Sequence, residues 1–260
     1  MKTLRVIIDT LKLQMKNSFI RPMFRFCLIA NPIVNTILIY EMFRNSGHDN
    51  FVAFVILGAW LMALWSCICF SSAGDINRER FSGTLAKIFT TPASFGTIML
   101  GKILGNTILA LLTLAISFIT AKVLYNPKIE IANLGLLAIS VIATIICFIT
   151  FSIIVAYLLM LSRKTQLYMN VIEIPIILIC GFVFPVEILP SFTKPISYAI
   201  SPTWAVRLLR LSISGVTDIS VFLTYLLILL GITALYAVIS IILYKIIDKQ
   251  VRINATLELF

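Results

Sequence analysis

Chemistry in this chain would have to come from very few residues. There is one histidine, His48, so no Ser/His/Asp relay can be built around a buried imidazole. The five cysteines are Cys27, Cys67, Cys69, Cys147 and Cys180. All lie in apolar runs, their number is odd, and no histidine is near any of them in sequence. That argues against zinc, haem or iron–sulfur ligation and for small packing residues. Gly96, Gly101 and Lys102 match the spacing G-x-x-x-x-G-K of a phosphate-binding loop. Yet Ile103 stands where a Ser or Thr must hold Mg²⁺, and the preceding stretch is polar loop, not strand. The chain is therefore expected to be no enzyme: no catalytic residue, no metal and no nucleotide site of its own.

The remaining candidates are polar residues inside apolar stretches. Asn31 and Asn35 are four apart, on one helix face, beside Pro32. Glu173 follows Asn170 and precedes Pro175. Intramembrane polar groups mark pathways or interhelical hydrogen bonds, and sequence leaves both open. Glu173 has Arg163 and Lys164 as candidate partners, or the inner loop, or a substrate.

The elements that must position them are membrane spans. Of 260 residues, 60% are hydrophobic and 12% charged, where soluble chains carry about 25% charged residues. The mean hydropathy is +1.04. A soluble enzyme, a disordered chain and a disulfide-stapled secreted domain are excluded. Six apolar stretches are each about long enough to cross as helices: 24–43, 51–74, 98–121, 134–161, 167–186 and 219–244. The alternation of barrel strands is absent. Lys102 lies one turn into the third stretch, where its stem can reach the interface.

Charge placement sets the orientation. With the N-terminus inside, only Arg44, Lys122, Lys128, Lys194, Arg207 and Arg210 of the 21 Lys and Arg fall outside. Both termini are then cytoplasmic, and the basic charge behind the net +10 mostly faces the inner leaflet. No basic patch interleaved with aromatics suggests nucleic acid. Residues 1–20 are too charged for a cleavable signal. They read as an amphipathic interfacial helix, with Leu4, Ile7, Leu11, Met15 and Phe19 on one side. Arg5, Asp9, Lys12 and Lys16 take the other side.

The inner loop 75–97 begins with charges of both signs. An amphipathic stretch follows, with Phe81, Leu85, Ile88 and Phe89 at helical spacing, and Pro92 stops it. Such a helix suits a groove on a partner, or is simply a solvated loop. The loop resembles the signature region of type-2 ABC exporter permeases. That pattern runs Glu-x-x-x-Gly-Thr-Leu-Glu, apolar residues, Thr-Pro, then Gly-Lys opening the third span. Glu79, Gly83, Thr84, Leu85, Thr91, Pro92, Gly101 and Lys102 match it, and Ala86 replaces the second Glu. The resemblance implies that 81–92 is a coupling helix seated on a separate ATP-binding subunit. The coupling residues would be Glu79, Arg80, Phe81, Gly83, Thr84, Leu85, Ile88 and Pro92.

The outer loop 185–218 is long, apolar and cut by Pro185, Pro190, Pro195 and Pro202. It reads as two short helices, near 190–200 and 203–213, in a re-entrant hairpin. The run Phe184-Pro185-Val186-Glu187-Ile188-Leu189-Pro190, with Pro202 and Arg207, is similar to the same family. There it belongs to an extracellular gate. The gate residues would be Phe184, Pro185, Glu187, Leu189, Pro190, Pro202 and Arg207.

The expected protein is a single all-α permease domain over 1–260, multi-pass in the plasma membrane. The resemblance implies a dimer with a second copy or paralogue, and ATP with Mg²⁺ on a cytoplasmic ATP-binding subunit. Its cargo would be an amphipathic small molecule, drug or peptide, moved out of the cytoplasm or inner leaflet. A polysaccharide exporter is the nearest rival, but residues 16–30 lack the Leu-Gly and Trp common before that branch's first span. An ion-coupled secondary transporter would need an inverted repeat or midplane carboxylates. A membrane scaffold would leave 75–97 without an ATPase.

Overall fold

The computed structural model describes residues 2–44, 51–91, 93–126, 133–160, 165–215 and 218–254. Regular structure among them is all helical. An amphipathic helix α1 (Lys2–Ile20) precedes α2 (Pro22–Phe43) and α3 (Phe51–Phe81). A short α4 (Thr84–Thr90) leads to α5 (Phe95–Tyr125). Then come α6 (Leu134–Met160) and α7 (Thr165–Ile179). A hairpin holds α8 (Lys194–Ala199) and α9 (Ser201–Ser214). Last is α10 (Ile219–Asn254).

Five of these helices, α2, α3, α5, α6 and α10, are long and apolar enough to cross a membrane. The expectation was six. The helix α7 has 15 residues, short of the roughly 20 that a hydrocarbon core requires. The run expected to continue to 186 stops because Gly181 takes φ +74. Phe182 N–H then bonds to Ile177 O at 3.2 Å, and Gly181 N–H to Leu178 O at 3.1 Å, closing the helix end. No other residue fits, since a Cβ there would lie 2.8 Å from Val186 Cγ2.

The second span differs in the other direction. Residues 75–81, expected as the start of a loop, continue α3. The turn comes only at Ser82 and Gly83, and Arg78 and Arg80 in the last turn suit the negative helix end. Between α1 and α2, Arg21 is extended (φ −77, ψ 125) because Pro22 follows it. Phe26–Ala30 of α2 is a π-helical turn, with Asn31 N–H bonded to Phe26 O. It lies directly before Pro32, whose missing N–H breaks the normal ladder. Ser66–Phe70 is a second π-helical turn, midway along α3.

The core is built on α3. Ala59, Trp60, Ala63 and Leu64 are fully buried, and Trp60, Phe148 and Phe182 are among the largest enclosed side chains. By contrast α10 leaves Leu227, Leu235 and Ile241 exposed, as a lipid-facing helix does. Helix α1 packs along α5, and two glycines permit it. A Cβ at Gly101 would sit 2.9 Å from Ile7 O, and one at Gly105 2.9 Å from Leu11 O. The face of α1 turned to α5 carries the half-buried Ile7, Leu11 and Met15 with the buried Gln14 and Ser18, while Leu4 and Phe19 near its ends are exposed, as are Arg5, Asp9, Lys12 and Lys16.

Candidate functional site

Polar side chains gather at three levels. Toward the C-terminal end of α3, Asp75 is buried and held from several helices. Arg21 pairs with it, Arg78 approaches at 3.1 Å, and Gln14 Nε2 donates at 2.5 Å. Gln14 Nε2 also reaches Asn106 Oδ1 at 3.1 Å, to which Ser18 Oγ donates at 2.9 Å. Asn106 Nδ2 turns to Ser72 Oγ and Asp75 Oδ2, each at 3.5 Å. This network locks α1, α3 and α5 together. One turn further along α3, Glu79 forms an ion pair with Lys102 of α5. Both side chains are largely buried.

Glu79 also touches the turn into α4. Ser82 Oγ and Thr84 Oγ1 each donate to Glu79 O at 3.3 Å. Gly83 makes the turn with φ +66, a conformation other residues adopt only with strain. Leu85 is buried and Ile88 packs on the same core. The apolar face expected to meet a partner is thus partly used within the chain. What α4 and its turn present outward is Phe81, 71% exposed, with Thr84, Lys87, Thr90 and Thr91. Arg80 is half-buried. Pro92 lies outside the described residues. Beyond it Ser94 caps α5, accepting from Thr97 N–H at 3.3 Å.

Midway across, Asn31, Asn35 and Glu173 come together through Ser66. Asn35 Nδ2 donates to Asn31 Oδ1 at 2.8 Å, and Asn31 Nδ2 to Ser66 Oγ at 3.4 Å. Ser66 Oγ donates to Glu173 Oε1 at 3.3 Å. The expected partners Arg163 and Lys164 lie outside the described residues, as does the Asn170 side chain.

In the hairpin, Arg207 pairs with Glu187 at 2.5 Å and bonds to Tyr198 OH at 2.8 Å. Its guanidinium also lies 4.6 Å from the Tyr198 ring centroid. Arg210 Nη2 donates to Gly181 O at 2.8 Å and Phe182 O at 3.3 Å, closing the end of α7. Burial lowers the Arg210 pKa to about 10 and Glu187 opposes this, so the group stays charged at neutral pH. Pro202 is buried under the hairpin, while Pro185 and Pro190 are exposed and Leu189 is half-buried. Phe184 packs on Phe43 at 5.9 Å. A cavity of about 610 Å³ opens between α2, α3 and the hairpin, lined by Phe43, Phe54, Val186, Glu187, Arg207 and Arg210 among others.

The family model for ABC-2 type transporters matches residues 10–214. The chain belongs to that family. A search of curated proteins returned no match. The match runs from α1 through α9 and so takes in the Asp75 network, α4 and the hairpin. As an ABC-2 permease it is a multi-pass membrane protein and the transport subunit of an ABC transporter. Permeases of this family work with a cytoplasmic ATP-binding subunit and carry no ATPase site themselves. The permease's G-x-x-x-x-G-K spacing fits that: Gly96 and Gly101 lie within α5, and Lys102 is engaged by Glu79. Among the described residues no group of three or more His, Cys, Asp or Glu could hold a metal. The five thiols are free, and all but Cys27 are buried.

Sequence reading singled out Glu79, Lys102, Asn31, Asn35, Glu173, Glu187 and Arg207, and each has a polar partner in the permease. It passed over Gln14, Ser18, Asn106 and Gly105, and gave Asp75 and Arg210 no role of their own. One signal was present: Gly101 and Gly105 are small residues four apart on an apolar helix, the spacing of close helix packing.

Proposed function

We propose that this chain is the membrane subunit of an ATP-driven exporter. The cargo is an amphipathic small molecule, drug or peptide leaving the cytoplasm or inner leaflet. Two permease chains, identical or paralogous, form the pathway in the plasma membrane. Two cytoplasmic subunits hold ATP and Mg²⁺. Both termini are inside, as the Lys and Arg distribution supports. Helix α7 then counts as the sixth crossing, lengthened by the apolar residues that follow it.

In this reading 81–92 is the coupling segment, and the inner network is the observation that carries it. Leu85 seats α4 on the bundle. Glu79 and Lys102 tie the adjoining end of α3 to α5, and Asp75 adds α1. A push on α4 therefore moves three inner helix ends as one body. The π-helical turns in α2 and α3 lie above that body and are where those helices bend. ATP shifts the balance between inward- and outward-open states because its subunits contact α4 differently in each. The Glu187–Arg207 hairpin closes the outer side.

Co-expression of the tagged permease with its ATP-binding subunit tests this. The two purify together, and inside-out vesicles accumulate a fluorescent amphipath only with hydrolysable ATP. Accumulation driven by an ion gradient without nucleotide would place the chain among secondary transporters instead.

A further inference from the structure

Glu173 is a carboxylate at the middle of α7. Asn31 and Asn35 are central in α2, and Ser66 is central in α3. The four meet within the apolar part of the helices, where a charge is costly. Their hydrogen bonds all run one way, Asn35 to Asn31 to Ser66 to Glu173. Each donor points toward the carboxylate, so the chain of dipoles favours negative charge on Glu173. Yet the ion pairs among the described residues do not include Glu173, and its described hydrogen bond is the one from Ser66. Ser66 thus gives the carboxylate one donor, and no cation among the described residues pairs with it.

The surroundings limit what could supply one. Glu173 is half-buried. Val171 and Ile174 beside it, and Val34 and Leu38 on α2, are exposed and apolar. A ligand reaching the carboxylate must bring apolar surface as well as positive charge. Both π-helical turns border the cluster, and such turns recur at functional sites. From the juxtaposition of Glu173, Ser66, Asn31 and Asn35 within the apolar helices we infer that the pathway takes lipophilic cations, with Glu173 as counter-charge to an amine or onium group. This rests on the export reading and narrows its cargo.

The test uses two probes of one shape and opposite charge, tetraphenylphosphonium and tetraphenylborate. Binding is measured to the purified permease in nanodiscs, above empty nanodiscs. The phosphonium binds saturably and the borate does not. Glu173→Gln weakens phosphonium binding by about tenfold or more, while Glu173→Asp, which keeps the charge, retains it. Equal binding of the borate, unchanged binding in Glu173→Gln, or equal loss in Glu173→Asp and Glu173→Gln overturns the inference. Should Glu173→Gln fail to fold, the borate and Glu173→Asp arms still decide. Co-purification of the ATP-binding subunit, scored on the same preparations, separates failure of the cation inference from failure of the export reading.

Discussion

Lys102, in the second turn of α5, forms an ion pair with Glu79 near the C-terminal end of α3. The two residues are 23 positions apart in sequence, with the turn and α4 between them. The pair closes that excursion, so α4 is anchored on both sides by the bundle. Removing one member leaves a largely buried charge without compensation. Lys102→Ala or Glu79→Ala is therefore expected to cost about 3–5 kcal/mol. The double variant Glu79→Gln/Lys102→Met should recover most of that loss in melting temperature. A double variant no better than the worse single one would mean that the pair does not act as a unit.

The approach of α1 to α5 depends on Gly105. A Cβ there meets Leu11 O at 2.9 Å, and backbone cannot swing aside as a side chain can. Gly105→Ala should destabilise by about 1–3 kcal/mol and speed trypsin cleavage after Lys12 and Lys16 as α1 lifts. Gly231→Ala is the control, because nothing lies within 4 Å of its added Cβ. It should be neutral or mildly stabilising. Equal effects of the two substitutions would remove close packing as the role of Gly105.

In the hairpin the two ends of one ion pair are not equivalent. The Glu187 side chain is 64% exposed and that of Arg207 is 19%. Glu187→Ala should cost less than about 1 kcal/mol, as exposed pairs do. Arg207→Ala also loses the Tyr198 hydroxyl and the Tyr198 and Trp204 rings, and should cost about 1.5–3 kcal/mol. Thermal melting of the two variants ranks them, and the reverse order would contradict the hairpin geometry.

Much of this was legible in the sequence because apolar length and breakers are local signals. The positions of α2, α3, α5, α6 and α10 follow from apolar runs, and the hairpin helices from Pro190 and Pro202. What was not legible depends on partners distant in sequence. Nothing near Asp75 says that Gln14 and Asn106 will reach it. The periodicity of Phe81, Leu85, Ile88 and Phe89 marks an apolar face but not which body it meets, and Leu85 meets its own. The end of α7 was misjudged because apolar residues continue to 186, while Gly181 alone sets the turn. Arg5, Asp9, Lys12 and Lys16 of α1 are exposed as their spacing implies, but nothing in that spacing marks Gln14 and Ser18 as buried against α5.

Whether α4 couples the bundle to an ATP-binding subunit is tested most directly at Phe81. It is 71% exposed and beside the Gly83 turn, so its replacement leaves the bundle intact. In Phe81→Asp, the purified permease should melt as the unaltered chain does. It should fail to retain the ATP-binding subunit in pull-down and lose ATP-driven export from vesicles. A Phe81→Asp permease that still holds the subunit and exports at the unaltered rate would contradict the coupling role of this segment.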